Sequence, residues 1–558
     1  MTPSLLERFL PRHSFADYDD FKNNLCIKRP DNFNFSYDVV QAWAQMAPDK
    51  PALLWVDDAL TMQSFTFAEI WAMACRTANV LTAAGIGKGS VVMLMLKQRP
   101  EVWSTMVALH MIGAVCIPAT YQLTPKDIVY RCEMAGVCAI IVAEDEEVIK
   151  HVAEARDKIA VENYWLVGET REGWRDLRAD MRAAGEAWTR PTGDAATAND
   201  DPMLVYFSSG TTGMPKMVLH DFTYPLGHIV TAKFWNQVEN GGRHLTVADS
   251  GWAKFGWSKI YGQWICGAEI VAYDTEKFTP ATMLRVISQC KLTTFCAPPT
   301  VFRFLIKEDL SKSDFSTLKH VTIAGEPLNP EVFVQFRDAT GLAPHEGFGQ
   351  SETTVMLGNF GWDAIKPGSM GKPSPLYDIA LIDENGKPVE DGIIGSIVIR
   401  NADEAPLGLF RGYWKAPETT AAAWHDGYYD TGDTAWRDSD GYFWFVGRND
   451  DVIKCSGYRI GPFEVESALV EHPAVLECAV TAAPDPLRGQ VVKATVVLAR
   501  GFAPSDQLVK ELQNHVKKAT APYKYPRIVE FVEALPKTSS GKIRRAEIRQ
   551  QDQQGNQA

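Results

Sequence analysis

The chain has 558 residues, which is too long for a single hydrophobic core and predicts two or more domains. Its hydrophobic content of 46%, with 16 Trp, 26 Phe and 17 Tyr, is typical of a soluble globular protein with a large interior. A formal net charge of -13 argues against a nucleic-acid partner, because such a partner requires a basic surface. The ten cysteines form no CxxC pair and no framework spacing, so they indicate reduced thiols of a cytoplasmic protein and exclude a zinc site.

The N-terminal half begins without a targeting signal that the sequence reveals. Residues 1–28 mix acidic and basic side chains and lack an apolar run, so neither a signal peptide nor a transit peptide is expected. Residues 102–124 carry no Asp, Glu, Lys or Arg and are long enough to span a bilayer. Gly113, however, separates a helix-like half from a strand-like half, which favours a buried helix and strand over an integral membrane segment.

Up to about residue 400, apolar β-rich runs alternate with helical periods. Strands are predicted at 91–96, 138–143, 292–297 and 320–324, and helices at 101–112, 125–135, 299–310 and 330–339. This alternation predicts an α/β fold with largely parallel sheets that are covered on both faces. Ligands collect at the carboxyl ends of strands in such sheets, so the loops that follow the strands are the candidate site.

Two further regions complete the chain. Residues 171–201, rich in Arg, Asp, Ala and Gly, predict a solvated excursion, and residues 378–400, with Asn385-Gly386 as a turn, predict a hairpin. After Gly447-Arg448 the pattern changes. Helices at 463–470 and 506–518, with strands at 474–482, 491–498 and 527–531, predict a small α+β module of about 110 residues.

The most distinctive stretch is the loop after the predicted strand that ends near residue 207. Glycines there permit backbone conformations with positive φ and let amide N–H groups approach an anion, while hydroxyls and a lysine add donors and charge. The lysine follows proline and precedes methionine, so the Walker pattern is absent. The loop therefore indicates the phosphates of a nucleotide, with a Gly/Ser/Thr-rich linker as the alternative. The residues concerned are Ser208, Ser209, Gly210, Thr211, Thr212, Gly213 and Lys216.

This loop is the first of a series of motifs that occur in a fixed order. The others lie at 347–353, 429–433, 447–451, 456–459 and 536–542. Together they resemble the motif set of the acyl-adenylate-forming superfamily, which includes acyl-CoA synthetases, carrier-loading adenylation domains and luciferases. Residues 484–489 and 521–527 resemble, more narrowly, the medium-chain acyl-CoA synthetase branch. The resemblance covers nearly the whole chain.

The resemblance implies a fold and a reaction. The fold is a large N-terminal α/β domain of several subdomains, residues 1–448, which binds AMP and the acyl group, followed by a small mobile α+β lid domain, residues 449–558. The reaction has two steps: a carboxylic acid and ATP give acyl-AMP and pyrophosphate, and the thiolate of CoA then displaces AMP. Mg²⁺ is the implied cofactor, and rotation of the small domain about Asp450 separates the two steps.

The resemblance also implies catalytic roles. Lys542 matches the adenylation lysine, which bridges the substrate carboxylate and phosphate oxygens; the alternative is one more lysine of a basic tail. Glu352 matches the glutamate that holds Mg²⁺ together with ATP phosphates, and Asp433 matches the aspartate that accepts both ribose hydroxyls. Phe348 stands where the family usually has a tyrosine against adenine, so ring stacking is retained and the phenol hydroxyl is lost.

Two larger sets of binding residues follow from the same matches. ATP contacts are implied, beyond those above, for a purine-edging turn, the loop around Phe348 and an arginine: Gly325, Glu326, Pro327, Gly347, Gly349, Gln350, Ser351 and Arg448. CoA contacts are implied on the small domain, where each side chain has a solvated surface position as its alternative: Ser456, Gly457, Tyr458, Arg459, Arg488, Lys517 and Tyr525.

The acyl pocket is predicted from Gly349 and from the segment 251–261. Acetyl-CoA synthetases have tryptophan at the position of Gly349, so the absence of a side chain predicts room for a larger acyl group. Trp252, Lys254 and Trp257 are candidate wall residues. Trp257 lies on an aromatic stripe with helical spacing, for which a place in the core is the competing interpretation. Lys254 either points inward, toward a polar acyl tail, or outward to solvent.

The sequence therefore predicts an AMP-forming acyl-CoA synthetase for a medium-sized acid, linear or branched. The nearest alternative is an aromatic-acid CoA ligase for benzoate-like acids. Less favoured are a carrier-loading adenylation enzyme and a noncatalytic nucleotide-binding regulator. The expected partners are the carboxylic acid, ATP and CoA; the state of assembly is open, with a homodimer as one alternative.

Overall fold

The computed structural model describes residues 4–208, 214–400, 405–455, 458–485, 488–538 and 542–555. Its strands are β1 (Pro51–Asp57), β2 (Met62–Thr66), β3 (Val91–Met95), β4 (Val115–Pro118), β5 (Ala139–Ala143), β6 (Asn163–Val167), β7 (Arg175–Asp176), β8 (Pro202–Ser208), β9 (Lys216–Asp221), β10 (Arg243–Thr246), β11 (Glu269–Asp274), β12 (Thr294–Ala297), β13 (His320–Ile323), β14 (Pro344–Phe348), β15 (Leu357–Gly358), β16 (Lys372–Pro373), β17 (Asp378–Ile382), β18 (Gly395–Arg400), β19 (Trp424–His425), β20 (Tyr428–Arg437), β21 (Phe443–Arg448), β22 (Ile453–Cys455), β23 (Tyr458–Ile460), β24 (Val475–Asp485), β25 (Gly489–Leu498) and β26 (Ile528–Phe531).

The helices lie between and over these strands. They are α1 (Leu6–Phe9), α2 (Tyr18–Asn24), α3 (Ala42–Met46), α4 (Phe67–Ala83), α5 (Glu101–Met111), α6 (Pro125–Ala135), α7 (Glu146–Arg156), α8 (Leu177–Ala183), α9 (Tyr224–Ile229), α10 (Ala253–Ser258), α11 (Tyr261–Ile265), α12 (Pro280–Gln289), α13 (Pro299–Leu305), α14 (Pro330–Thr340), α15 (Pro417–Ala423), α16 (Pro462–Val470), α17 (Asp506–Ala519) and α18 (Arg545–Gly555). Short π-helical turns occupy Ser36–Gln41 and Val230–Trp235.

Two largely parallel sheets form the body of the N-terminal part. One runs in the order β7-β6-β5-β3-β4-β8-β9 and the other in the order β16-β15-β14-β13-β12-β10-β11-β1-β2. In both sheets the central pairs are parallel, and antiparallel pairs occur only toward the edges. The predicted α/β fold with parallel sheets is therefore confirmed, and the carboxyl ends of β8, β13 and β14 lead into the predicted nucleotide motifs.

Two antiparallel sheets follow. The order β17-β18-β20-β19, with β21 on β20, places residues 433 and 448 opposite each other on β20 and β21. The last sheet, in the order β23-β22-β25-β24 with β26 on β25, packs against α16 and α17 around its own hydrophobic core. A large N-terminal α/β part and a smaller C-terminal sheet-containing domain are thus present, as predicted.

Local signals account for several helix ends. The helix α6 begins where Thr124 and Asp127 form a reciprocal capping box and ends at Gly136, whose φ of 75° only glycine adopts easily. Its bounds are those predicted. In the charge-free segment 102–124, α5 and β4 are buried along their whole length, which confirms the predicted helix and strand. Among the described residues, no helix combines the length and apolar character that crossing a membrane requires.

Two predictions need correction. Residues 171–201 were expected to be a solvated excursion, but they contain β7 and α8, and α8 buries Leu177 and Met181 against the core. The helix predicted at 299–310 ends as α13 at Leu305, and a 3₁₀ turn follows at Leu310–Lys312. In residues 171–201 the burial of two apolar side chains outweighed the polar composition of the segment.

Candidate functional site

The phosphate loop connects two hydrogen-bonded strands. Ser208, at the end of β8, pairs directly with Lys216, at the start of β9. The predicted contacts at Ser209, Gly210, Thr211, Thr212 and Gly213 lie outside the described residues, as do those at Ser456 and Gly457. The ammonium of Lys216 lies 4.7 Å from the centre of the Tyr413 ring. Tyr413 in turn contacts Glu352.

Tyr413 joins Lys216 to Glu352. Its hydroxyl donates a hydrogen bond of 3.0 Å to Oε1 of Glu352, and the Glu352 carboxylate is buried. Burial raises the pKa of Glu352, while the Tyr413 hydrogen bond and the charge of Lys216 act to lower it. Glu352 thus accepts a hydrogen bond from Tyr413 and lies near the charge of Lys216, at the end of the phosphate loop.

Gln350 and Asp433 form a second buried group. Nε2 of Gln350 donates to Oδ2 of Asp433 at 2.5 Å and to the carbonyl of Thr431 at 2.8 Å, and Oε1 of Gln350 accepts from the Tyr429 hydroxyl at 2.9 Å. The Gln350 side-chain amide therefore uses both its nitrogen and its oxygen in hydrogen bonds that hold Asp433, Thr431 and Tyr429 together. Next in the same loop, the carbonyl of Ser351 accepts a hydrogen bond of 2.7 Å from Nε2 of His220, which is buried and neutral.

Asp433 faces two cations. Burial raises its pKa to about 6, and the charges of Arg448 and Lys542, together with the Gln350 hydrogen bond, oppose that shift. Arg448 is the cross-strand neighbour of Asp433 and also lies 3.5 Å from Asp450. The Lys542 ammonium is thus near enough to Asp433 to influence its ionisation. The structure therefore brings the predicted adenylation lysine and the predicted ribose aspartate to one place.

The predicted purine edge follows β13. Gly325 has a φ of 114°, and a Cβ added there would meet no atom within 4 Å, so the backbone has an open face. Oε2 of Glu326 lies 3.4 Å from Nη2 of Arg303, so this carboxylate pairs with a side chain of α13. Phe348, at the end of β14, is half-buried, and its ring centre lies 6.1 Å from that of Phe445. Pro327, next to Glu326, is also half-buried.

Lys254 points inward. Its ammonium donates a hydrogen bond of 2.8 Å to the carbonyl of Ala324, beside Gly325. Burial lowers the pKa of Lys254, and the nearby charge of Lys542 acts in the same direction. Of the two orientations left open by the sequence, the structure therefore has the one that directs the ammonium into the site.

The space beside Gly349 is filled. A Cβ at Gly349 would lie 2.4 Å from Cη2 of Trp257, and Trp257 donates from Nε1 to the carbonyl of Thr353 at 3.0 Å. The indole of Trp257 therefore lies directly beside Gly349, and the room predicted there for a larger acyl group stays a prediction. Trp235, which the sequence analysis missed, meets Trp257 edge to face with 6.3 Å between ring centres.

The helical stripe that includes Trp257 is broken in the structure. Trp257 lies on α10, whereas Tyr261 and Trp264 lie on the separate helix α11 and are completely buried. All three are therefore buried in the core, as the competing interpretation has it, and of the three Trp257 contacts the Gly349 loop. Trp252 is half-buried and immediately precedes α10.

The described candidate CoA residues of the C-terminal domain make separate pairwise contacts. The ammonium of Lys517 lies 4.1 Å from the centre of the Tyr525 ring, so these two are together. Tyr458 stacks on Tyr523, with 4.1 Å between ring centres, while 51% of its surface stays exposed. The other two are paired with acids: Arg459 with Glu384 of the N-terminal part at 3.4 Å, and Arg488 with Asp485 at 4.0 Å.

The two tyrosines missed by the sequence analysis are Tyr413 and Tyr429. Tyr429 is the first residue of the motif at 429–433 that contains Asp433, so its position was a usable signal. Tyr413 is 61 residues from Glu352 in the chain, and backbone pairing of its segment with β9, at Val218, brings its hydroxyl to the Glu352 carboxylate.

A magnesium ion fits the donor set around Glu352. Within the part of the chain that the structure describes, no three His, Cys, Asp or Glu side chains group in a way that holds a metal ion. One carboxylate that shares the ion with nucleotide phosphates is the arrangement that Mg²⁺ usually takes in proteins. The buried Glu352, beside Lys216, meets that requirement.

The sequence matches the AMP-binding enzyme family over residues 40–414 and the AMP-binding enzyme C-terminal domain over residues 464–542. The chain therefore belongs to the AMP-binding enzyme family. The acyl-coenzyme A synthetase ACSM3, mitochondrial, of Mus musculus is 42% identical over 554 residues, covering 97% of this chain and 94% of the relative. The acyl-coenzyme A synthetase ACSM5, mitochondrial, of Rattus norvegicus is 43% identical over 534 residues, covering 94% and 91%.

A solved structure agrees with these relatives. The anthranilate CoA ligase AuaEII in complex with anthranoyl-AMP superposes with a TM-score of 0.86 at 27% identity, covering 95% of this chain and 99% of that one. The predicted superfamily, its medium-chain branch and the class of AMP-forming acyl-CoA synthetase, an acid–thiol ligase, are confirmed. The predicted cytoplasmic location is contradicted, since the relatives above are mitochondrial by name.

Proposed function

We propose that the enzyme adenylates a medium-sized carboxylic acid, linear or branched, and transfers the acyl group to CoA. The observation that carries the proposal is the proximity of Lys542 to both Asp433 and Lys254. In this arrangement a cation from the C-terminal domain lies near both the position proposed for the ribose and the candidate acyl pocket. That is where a carboxylate and an α-phosphate must meet.

The nucleotide is held by groups of complementary charge. Asp433 accepts hydrogen bonds from the ribose hydroxyls, which requires its ionised, acceptor-only form. Arg448 lies beside it and would contact ribose or phosphate, and Lys216, at the start of β9, would contact the β- and γ-phosphates. Adenine lies between Phe348 and the open backbone at Gly325, where the left-handed conformation exposes a flat surface.

Glu352 would hold Mg²⁺ together with the phosphates of ATP. When bound, the ion neutralises charge on the phosphates and orients them for attack on the α-phosphorus. The protein contributes the carboxylate and its orientation. The Tyr413 hydroxyl fixes Oε1, and the nearby Lys216 favours the ionised carboxylate that an ion requires.

The first step joins two anions. The substrate carboxylate attacks the α-phosphate, and pyrophosphate leaves with the electrons of the broken P–O bond. Lys542 lies between the two reactants and stabilises the charge on the oxygens of the transition state. Because the Lys542 side chain is exposed, binding of the nucleotide and the acid would desolvate it, which strengthens its electrostatic effect.

The second step requires Lys542 to leave. Rotation of residues 449–558 about Asp450 would remove the lysine and present the face that carries Tyr458, Arg459 and the Lys517–Tyr525 pair. The CoA thiolate then attacks the acyl carbon, and AMP leaves. Ser456, Gly457 and Arg488 complete the proposed CoA route.

The acyl group would lie between Lys254 and Trp257, below the Gly349 loop. Trp257 fills the space beside Gly349 and is itself packed on Trp235, so the depth of the pocket is set by an indole that another indole supports. Such a wall favours acids of moderate length and tolerates a branch near the carboxylate. Lys254 would lie along one side of the acyl chain, with its ammonium on Ala324.

An aromatic acid is the second candidate. The Trp235–Trp257 contact offers an edge and a face to a ring, and the anthranilate CoA ligase shares the fold. The higher identity to the acyl-coenzyme A synthetases favours the aliphatic acid.

A panel of acids separates the two candidates. Acetate, butyrate, isobutyrate, hexanoate, octanoate and benzoate are assayed for acid-dependent ATP–pyrophosphate exchange and for CoA-dependent release of AMP. We expect the highest kcat/KM for an aliphatic acid larger than acetate. A preference for benzoate overturns the aliphatic proposal, and exchange without CoA-dependent AMP release overturns the assignment of CoA as acceptor. The homodimer stays a prediction, which light scattering of the purified protein checks.

A further inference from the structure

The position of Lys542 is set by a short hairpin. Thr538 N donates to the carbonyl of Lys542 at 2.8 Å, Lys542 N donates to Oγ1 of Thr538 at 3.1 Å, and Arg544 N donates to the carbonyl of Pro536 at 2.9 Å. The side chain of Lys542 itself is exposed. The ammonium is therefore placed by whatever anchors this hairpin to the rest of the C-terminal domain.

Arg545 supplies the first anchor. It begins α18, three residues after Lys542, and its Nη2 donates to both carboxylate oxygens of Glu466, at 2.7 and 2.8 Å. Glu466 lies on α16 and is buried, and its Oε1 also accepts from Val480 N at 2.7 Å. A guanidinium that shares both oxygens of a fixed carboxylate has little freedom to move, because both hydrogen bonds depend on one relative orientation.

Arg549 supplies the second anchor, one turn further along α18. It pairs with the carboxylate of Asp451, which is buried and directly follows Asp450. Between the two arginines, Ile548 is buried in a small cluster with Leu535, which lies just before the Lys542 hairpin. One face of α18 is thus attached to α16 and to the segment that follows Asp450.

These contacts form a continuous connection from the proposed hinge to the hairpin. The acids and arginines all lie beyond residue 449, so the connection stays within the part that would rotate. We infer that Arg545 and Arg549 are positioning residues for adenylation: they couple Lys542 rigidly to the hinge segment, so that domain rotation inserts and withdraws the lysine as one body. This inference rests on the role proposed for Lys542.

The test compares two half-reactions in the full-length enzyme. Arg545→Gln removes the guanidinium and keeps a side chain of similar length. Arg544→Gln is the matched control, since Arg544 directly precedes α18 and is exposed, with its Nη1 3.8 Å from Oε2 of Glu547. Acid-dependent ATP–pyrophosphate exchange reports adenylation, and thioester formation from supplied acyl-AMP and CoA reports the second step. A small misplacement of a catalytic group costs about 100-fold in rate.

We expect Arg545→Gln to reduce exchange by about 100-fold and to leave thioester formation near that of Arg544→Gln. Arg545→Lys, which keeps a charge without the bidentate geometry, should fall between them, and Arg549→Gln should show the same selective loss. Equal loss of both half-reactions overturns the inference, since it would mark a general structural role. So does exchange equal to that of Arg544→Gln.

Lys542→Ala in the same assays keeps the two proposals apart. If Lys542→Ala retains exchange, the role of Lys542 itself is wrong. If Lys542→Ala loses exchange while the Arg545 and Arg549 variants do not, only the positioning inference fails. Should Arg545→Gln not fold, the Arg545→Lys and Arg549→Gln variants decide the question.

Discussion

The indole of Trp257 stands where a side chain at residue 349 would project, with 2.4 Å between Cη2 of Trp257 and a Cβ built on Gly349. A Cβ there would also lie 2.5 Å from the carbonyl oxygen of Thr354. The two positions are therefore complementary: glycine at 349 permits the tryptophan at 257. In the proposed acyl pocket, the size would therefore depend on this pair rather than on residue 349 alone.

Truncating Trp257 tests this relationship. We expect Trp257→Ala to shift the optimum of kcat/KM toward longer acids, because the wall beside Gly349 is removed. Loss of a buried tryptophan also costs about 3–5 kcal/mol of stability. Trp264→Ala is the control, since Trp264 is fully buried in the core and does not reach the Gly349 loop. An identical shift in both variants would show that a loosened core, and not the pocket wall, changes the preference.

Replacing Lys542 tests the first step. Lys542→Ala should abolish acid-dependent ATP–pyrophosphate exchange and largely spare thioester formation from supplied acyl-AMP, because the cation is required only while two anions combine. Lys537→Ala is a suitable control, as Lys537 lies on the same hairpin and pairs with Glu477 at 2.6 Å. Equal loss of both half-reactions contradicts the assigned role.

The hinge is tested by restricting its backbone. Asp450→Pro fixes φ at residue 450, so rotation of residues 449–558 should be impeded. Pyrophosphate exchange is expected to persist, because the structure already has Lys542 near Asp433, whereas transfer to CoA should be impaired. Unchanged turnover with CoA would rule out a hinge at this residue.

Tyr413 offers a test of the metal position. Tyr413→Phe removes the 3.0 Å hydrogen bond to Glu352, and a hydrogen bond to a charged group is worth about 1.5–3 kcal/mol. Without it, the pKa of the buried Glu352 should rise further and a higher Mg²⁺ concentration should be needed for half-maximal activity. Tyr37→Phe removes a buried hydroxyl that bonds the carbonyl of Met111, far from the site. If both variants respond equally to Mg²⁺, Tyr413 does not act through Glu352.

The raised pKa of Asp433 predicts a pH dependence of ribose recognition. Since the folded-state pKa is about 6, Asp433 is ionised above that pH and loses its acceptor-only form as the pH falls through it. The ratio of KM for 2′-deoxy-ATP to KM for ATP should therefore fall toward one below about pH 6. Titration of the phosphates affects both nucleotides and cancels in the ratio. In Asp433→Asn the ratio should be low at every pH; a ratio that still changes near pH 6 would assign the titration elsewhere.

Local features of the fold were predictable from the sequence where strong local signals agree. The helix α6 was predicted to the residue because Thr124, Asp127 and Gly136 define both of its ends. The helix α8 was missed because its polar residues outnumber Leu177 and Met181, and only the position of those two against the core makes the segment helical.

The site shows the same division. Lys542, Glu352 and Asp433 were predicted as site residues because each lies in a contiguous motif. The contact of Trp257 with Gly349 joins residues that are distant in the chain. A glycine in a motif does not indicate which side chain packs beside it. The role of Tyr413 depends likewise on strand pairing beside β9, which no local pattern encodes.

The hydrogen bond between Gln350 and Asp433 affects the stability of the fold around the site. The Asp433 carboxylate is buried. A buried charge destabilises a fold unless a hydrogen-bond donor contacts it. The amide of Gln350 is that donor, held in turn by Thr431 and Tyr429. The fold thus supplies one internal donor to the Asp433 carboxylate, which offsets part of the cost of burying that charge.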